Sequence, residues 1–339
     1  MSTQLAIVDE SQLPPEDEVG AVLDYLFSHR KASIQDFLQA NELARSGTKQ
    51  ELRERIMEAL VDEIITVGDL IVLLDTIEGW GNQHVYLYTA PAGELKRWKT
   101  EAGAKKCLRK INAEKLLNGC RPLLLPDEPT LSSVEWDGER VRFIWVEKRE
   151  WTKRRSDLDE PASEEGIVYK AYEETLARGV TSLDVDLSTG HAALMIQSLP
   201  TGEGYDEIRR EYEDAIEDAM NVGNFTRTEI VRAIKKLEKS NEVSNRQIAH
   251  ETAAGSRARF TSKSRKADAY DDVALKKSRD ALGPTGAVLG NFYWQEAVPA
   301  LARKIHTKLF AADKRVSIHG ECTEEEVKYV LSRVRYHSR

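Results

Sequence analysis

Basic and aromatic side chains are interleaved along residues 139–155, where Arg140, Arg142, Lys148, Arg149, Lys153, Arg154 and Arg155 surround Phe143, Trp145 and Trp151. Cationic side chains neutralise phosphates and aromatic rings stack on bases, so this pattern points to nucleic-acid contact. It also describes a strand that buries Phe143 and Trp145 and leaves its arginines in water. Residues 255–279 hold eight Lys or Arg against three acids, with Arg257, Arg259, Lys263, Arg265 and Lys266 around Phe260. That composition suits a backbone clamp and equally an ordinary solvated loop. In the run Ser46-Gly47-Thr48-Lys49, free amides at a helix N-terminus suit a phosphate. Lys49 adds a charge there, and Arg45 and Arg53 flank it; the alternative is a plain helix cap.

Catalytic patterns are weaker. Asp184 and Asp186 lie two apart on an expected strand, so both carboxylates share one face, as a magnesium nuclease requires. A third converging ligand is missing and only His191 is near, so a solvated strand face is the expectation. His319-Gly320-Glu321-Cys322 has no spaced partner for a metal, and His84 stands alone. No phosphate-binding glycine loop or nucleophile elbow is present. No catalytic residue, metal or cofactor is expected.

The elements that must position these residues follow from periodicity. Apolar residues at helical spacing mark four short helices: Val19 to Phe27, Ile34 to Leu38, Leu52 to Leu60 and Leu70 to Ile77. Ser33 with Asp36, Thr48 with Glu51, and Thr66 with Asp69 are their N-terminal signals. From His84 the pattern alternates as a strand does, and Asp137-Gly138 and Ser188-Thr189-Gly190 turn two hairpins. Residues 94–117, between that strand and the first hairpin, read as a basic helix. Residues 199–202 form a hinge, followed by a helix from Tyr205 to Met220 and another that Thr226 and Glu229 cap. Residues 245–266 are a long loop or an exposed hairpin. The chain then reads strand 304–310, strand 315–320 and helix 323–335, with Thr323 and Glu326 as the cap.

The fold class is α+β: a helical module, a mixed and mainly antiparallel β region, and an α/β C-terminal part. The expected boundaries are a disordered arm at 1–18, a helical domain at 19–78, a β-rich domain at 79–200 and a C-terminal domain at 201–339. Hydrophobic residues are 41% of the 339 and charged residues 31%, and no aliphatic run approaches a membrane span. The first residues carry neither a basic region nor an apolar run, so no secretory signal is expected. Cys107, Cys120 and Cys322 are far apart and odd in number, which suits a reducing, intracellular compartment. Net charge is −8, but residues 95–121 carry nine basic groups against two acids, so a basic face on an acidic molecule is possible.

Residues 33–56 resemble the SAP domain, a helix–turn–helix module of DNA- and chromatin-associated proteins. Ile34, Phe37, Leu38 and Leu43 match its apolar spacing, and Ser46-Gly47-x-Lys49-x-x-Leu52-x-x-Arg55-Ile56 its second half. The family carries Gly before the linker leucine, where this chain has Glu42. The order of elements is also faintly similar to the CENP-N family, which grips nucleosomal DNA. The resemblance implies a DNA-binding role, nuclear or nucleoid. The expected function is therefore non-enzymatic binding of DNA, duplex first, through Arg45, Ser46, Gly47, Thr48, Lys49, Arg53 and the two basic stretches. The alternatives are a protein–protein adaptor using the helical module or acidic faces, and a nuclease built on Asp184 and Asp186. No membrane partner is expected.

Overall fold

Four helices open the chain, each too short to stand alone in water and each with one apolar stripe. They are α1 (Asp17–Leu26), α2 (Lys31–Ala40), α3 (Lys49–Val61) and α4 (Val67–Glu78). Their stripes meet in one core built on Leu23, Leu26, Ile34, Leu38, Leu52, Ile56, Leu70 and Leu74. Thr48 and Glu51 form a reciprocal capping box on α3, and Thr66 and Asp69 make the same exchange before α4. Ser33 is not a cap, because α2 already starts at Lys31. Glu42 takes the left-handed conformation, φ 58°, where the SAP pattern has Gly. The Leu43 amide then reaches back to the Leu38 carbonyl at 2.8 Å and closes α2 as a Schellman turn.

This architecture is that of a computed structural model, which describes residues 6–7, 17–27, 29, 31–119, 126–159, 169–199, 204–264, 267–283, 285–297 and 299–339. Most of the expected arm, Cys120, Arg265, Lys266, the hinge residues 200–202 and the side chain of Lys153 lie outside the described residues. Within the arm, β1 (Ala6–Ile7) pairs in parallel at the edge of the sheet that also contains β2 (Gly81–Thr89). Its direct neighbour is β3 (Thr130–Trp136).

Beyond α4 the chain builds one continuous sheet. Between β2 and β3 the expected basic helix is broken into α5 (Ala92–Leu95), α6 (Glu101–Leu108) and single 3₁₀ turns. Then follow β4 (Arg140–Arg154), β5 (Tyr172–Asp186), β6 (His191–Gln197), α7 (Tyr205–Ile216), β7 (Thr226–Arg227) and α8 (Val231–Leu237). The chain ends with β8 (Val243–Thr252), β9 (Arg257–Thr261), α9 (Val273–Ala281), β10 (Thr285–Trp294), β11 (Ile305–Phe310), β12 (Arg315–Glu321) and α10 (Glu324–Ser338).

The strands run β1-β3-β4-β5-β6-β2-β12-β11-β10-β8-β9, with β7 pairing β2. β2 therefore sits between β6 and β12, and the boundary drawn at residue 200 falls within one sheet. Thr226 does not cap a helix, because it is paired with Thr89 as part of β7. Of residues 245–266, those up to Thr261 form the β8–β9 hairpin. β10 was not anticipated, and bulges at Ala287/Leu289 and Asn291/Phe292 explain why its alternation is broken.

Two cores flank the sheet. On one face α5, α6 and α7 cover Tyr86, Tyr88, Phe143, Trp145, Leu194 and Ile196. On the other, α8 and α10 cover Val85, Leu87, Met195, Phe292, Trp294, Leu309, Val316 and Ile318. Outward residues of β10–β12 stand on the same side as Tyr86, yet Tyr293, His306, Lys308, Arg315 and His319 are part of neither core and remain partly exposed. No helix of the described residues is long and apolar enough to cross a membrane.

Candidate nucleic-acid interface

The loop before α3 is held by its own cations. Lys49 donates to the carbonyls of Phe27 at 2.6 Å and His29 at 3.1 Å, and Arg53 reaches the Gly20 carbonyl at 3.5 Å. Lys31 donates to the Gly47 carbonyl, and Arg45 to Gln39. Ser46 is exposed, and its carbonyl accepts from Arg55 at 3.1 Å. The helix N-terminus that would receive a phosphate already holds a carboxylate: Glu51 Oε2 accepts the Thr48 amide at 2.6 Å. That bond, with the Thr48 hydroxyl, holds the Glu51 carboxyl below its ordinary range. Gly47, at φ 139°, lies so close to Glu51 that a Cβ there would sit 2.9 Å from its carboxylate. In this geometry Lys49 and Arg53 act as staples between α1 and α3 rather than as mobile charges.

The basic residues of β4 are matched in the same way by acids on neighbouring strands and turns. Arg140 clasps Asp184 and contacts Glu324 at 2.8 Å. Arg142 is buried, with its guanidinium 4.5 Å over the Trp80 ring, and faces Glu135 at 3.9 Å. Lys148 pairs with Asp127 at 2.7 Å and Glu150 at 3.0 Å. Arg149 is buried against Glu147 and the Gln197 carbonyl. Arg154 pairs with Asp159, and Arg155 with Asp157 at 2.8 Å and Glu173 at 2.7 Å. Phe143 and Trp145 lie in the core, stacked on each other at 5.9 Å. The stretch that counts as strongly basic in sequence is thus largely neutralised by acids of β3, β4, β5, α10 and the adjoining loops.

The paired aspartates are occupied too. Asp184 is held by Arg140, while Asp186 accepts from the Ser188 amide at 2.8 Å, the Ser188 hydroxyl at 2.6 Å and the Thr189 amide at 2.9 Å. Burial alone would raise the Asp186 carboxyl, but these bonds from the turn hold it below its usual range. Among the described residues, no three His, Cys, Asp or Glu side chains converge as a metal site needs. Cys322 Sγ lies 3.6 Å from the Gly320 carbonyl, and Thr323 caps α10 with Glu326.

The cations left over are elsewhere. Arg257 and Arg259 project from the solvent side of edge strand β9, opposite Phe260, which is buried against His250 and Tyr270. Arg257 touches Glu251 at 3.2 Å, whereas Arg259 and Lys263 are exposed and meet no acid among the described residues. The same sheet face continues through Lys308 on β11 to Arg315 on β12, which pairs with Asp313 at 2.9 Å.

Between these cations lies a row of rings that sequence reasoning missed. Tyr293 stacks on His306 with centroids 4.7 Å apart and planes 21° apart, and His306 stacks on His319 at 4.5 Å and 24°. These spacings match the distance between adjacent strands, so the rings stand upright on the sheet and stack along its hydrogen-bonding direction. Asn291 Oδ1 accepts from His306 Nε2 at 2.6 Å and fixes that ring. Ser317 Oγ lies 3.3 Å from His319 Nε2 and 3.5 Å from His84 Nε2. His84 stacks on Tyr205 at 3.7 Å, and Arg315 donates to its Nδ1 while lying 4.9 Å over the Tyr205 ring and 4.4 Å over Phe310.

Burial, then Arg315, His319 and Lys308, pushes His84 down to about 3. Burial and Lys308 push His319 down to about 4. Both imidazoles are neutral at physiological pH, in a local field that favours an anion. Only the register linking β10, β11, β12 and β2 brings these residues together, and no single stretch of sequence signals it. No protein-family model matches the chain, and no curated protein matches it.

Proposed function

We propose that this protein binds nucleic acid without catalysis, on the open face of the β8–β12 half of its sheet, and favours single strands. The observation that carries this reading is the stacked row Tyr293–His306–His319 flanked by Lys308, Arg315 and Arg259. The row ends at Tyr293, whose partner on β8 is the small Ser244. A base can continue the stack over Ser244 while its phosphates reach Lys308 and Arg259. Sequence-tolerant stacking combined with backbone contacts gives weak selectivity and strong salt dependence. Binding of a fluorescent single-stranded oligonucleotide to the full chain tests it. Tyr293→Ala is expected to weaken binding by about 1–3 kcal/mol, the usual worth of one stacked base. An unchanged affinity would remove the ring row from the interface.

A specific observation favours the adaptor reading for the helical module alone. Met57, Val61 and Ile64 are exposed together at the end of α3 and in the turn after it. Apolar side chains so placed suit a protein partner better than a phosphate chain. In this reading the SAP-like module supplies protein contact and the sheet face supplies nucleic-acid contact.

A further inference from the structure

A cleft of about 490 Å³ opens on the side of the sheet covered by α10, next to the β5–β6 turn. Its apolar lining includes Trp80, Met195 and Leu331. Arg335 reaches into it from α10 and donates to the carbonyls of Tyr88, at 2.9 Å, and Ala192, with Thr228 Oγ1 at 3.5 Å. All these partners are neutral, and no carboxylate of the described residues lies within ion-pair distance of Arg335. The other arginine of the cleft, Arg140, is matched by Asp184 and Glu324.

Burial, then Arg339, pushes the Arg335 guanidinium down to about 10, and burial with the same two arginines lowers His191 beside it. Asp186, which also lines the cleft, acts against that shift but makes no ion pair with Arg335, and its Oδ1 accepts from the Ser188 and Thr189 amides. A desolvated cation without a counter-ion is unfavourable, and a bound anion relieves that cost. Asp137, Glu139 and Lys328 also line the cleft, and its carboxylates disfavour a polyanion over a ligand with a single anionic group.

We propose that this cleft binds a small organic anion, with one carboxylate or phosphate group on Arg335 and an apolar body against Trp80 and Leu331. The volume suits a ligand of one or two rings. The site lies on the opposite side of the sheet from the stacked rings and stands independently of the nucleic-acid reading.

Thermal unfolding of the full chain with benzoate, phenyl phosphate, inorganic phosphate or the neutral benzamide tests this. Benzoate or phenyl phosphate at millimolar concentration should raise the midpoint by about 2 °C or more, and benzamide should not. A larger response to phenyl phosphate identifies a phosphate monoester as the ligand class, and a larger response to benzoate identifies a carboxylate. Arg335→Gln should abolish the shift. Because Arg335 also holds strand carbonyls, Ser332→Trp, at an exposed position of the cleft wall, provides a second variant that fills the site without touching them. The proposal is overturned if neither organic anion shifts the midpoint, if the shift survives in Ser332→Trp, or if inorganic phosphate alone matches phenyl phosphate.

Discussion

Arg178 of β5 donates from Nη1 to Glu78 Oε2 at 2.5 Å, and both side chains are at most 1% exposed. This ion pair fastens the last residue of α4 to the sheet, and His29 lies 3.6 Å from the other carboxylate oxygen. The helical module is therefore anchored through charge at a site closed to water. Removing one partner of such a pair leaves the other buried and unmatched. Glu78→Ala or Arg178→Ala should each destabilise the chain by about 3–5 kcal/mol, whereas the double change to leucine should recover much of the loss. Urea denaturation of the three variants checks this; equal losses in all three would contradict it.

Glu42 sits in the left-handed region at φ 58°, which costs an L-residue with a Cβ about 1–2 kcal/mol. Glu42→Gly should stabilise the chain by about 0.5–1 kcal/mol, after the greater freedom of glycine in the unfolded chain is subtracted. A lower denaturation midpoint for this variant would show that the Glu42 side chain supports the turn.

Glu238 lies buried between His250 at 3.0 Å, the Tyr270 hydroxyl at 2.6 Å and Arg279 at 3.1 Å. Burial alone would raise its pKa, but hydrogen bonds from these three residues hold it at about 2. A carboxyl depressed on folding contributes stability above its unfolded pKa, near 4.3, that is lost as pH falls through the folded value. Glu238→Gln should therefore cost about 3 kcal/mol near neutral pH, and the difference from the unaltered protein should vanish as pH falls toward 2. Denaturant midpoints at several pH values between 7 and 2 test the sign, and a gap that stays constant with pH would refute it.

Local signals in the sequence correspond to local structure. Thr48 with Glu51 and Thr323 with Glu326 cap helices as their spacing implies, because a capping box closes within one turn. Asp137-Gly138 turns a hairpin for the same reason, with Gly138 at φ 91°. Thr226 with Glu229 has the same spacing but fails, since pairing of Thr226 with Thr89 on β2 takes precedence over the helix start.

What local pattern does not reveal is partnership across strands. Seven cations in residues 139–155 suggest a binding face, yet Asp184 and Glu173, which only the ladder with β5 brings alongside, and Glu147, Asp157 and Asp159, close by in sequence, pair with them. The ring row has the converse history. Tyr293, between the core residues Phe292 and Trp294, lies in a different segment from His306 and His319, and the stacking of the three exists only in the register of β10, β11 and β12.

The central claim is that phosphate contacts lie on the open sheet face and not along β4. Its most direct test is the salt dependence of single-stranded oligonucleotide affinity, measured by fluorescence anisotropy on the full chain. Each phosphate contact contributes about −0.7 to the slope of log affinity against log salt for single strands. Lys308→Glu with Arg259→Glu should make that slope shallower by about 1.4 and weaken binding about tenfold or more at low salt. Arg154→Gln with Arg155→Gln, whose native side chains are already paired with Asp159, Asp157 and Glu173, should leave the slope unchanged. An unaltered slope in the first variant, or a loss confined to the second, would contradict the account.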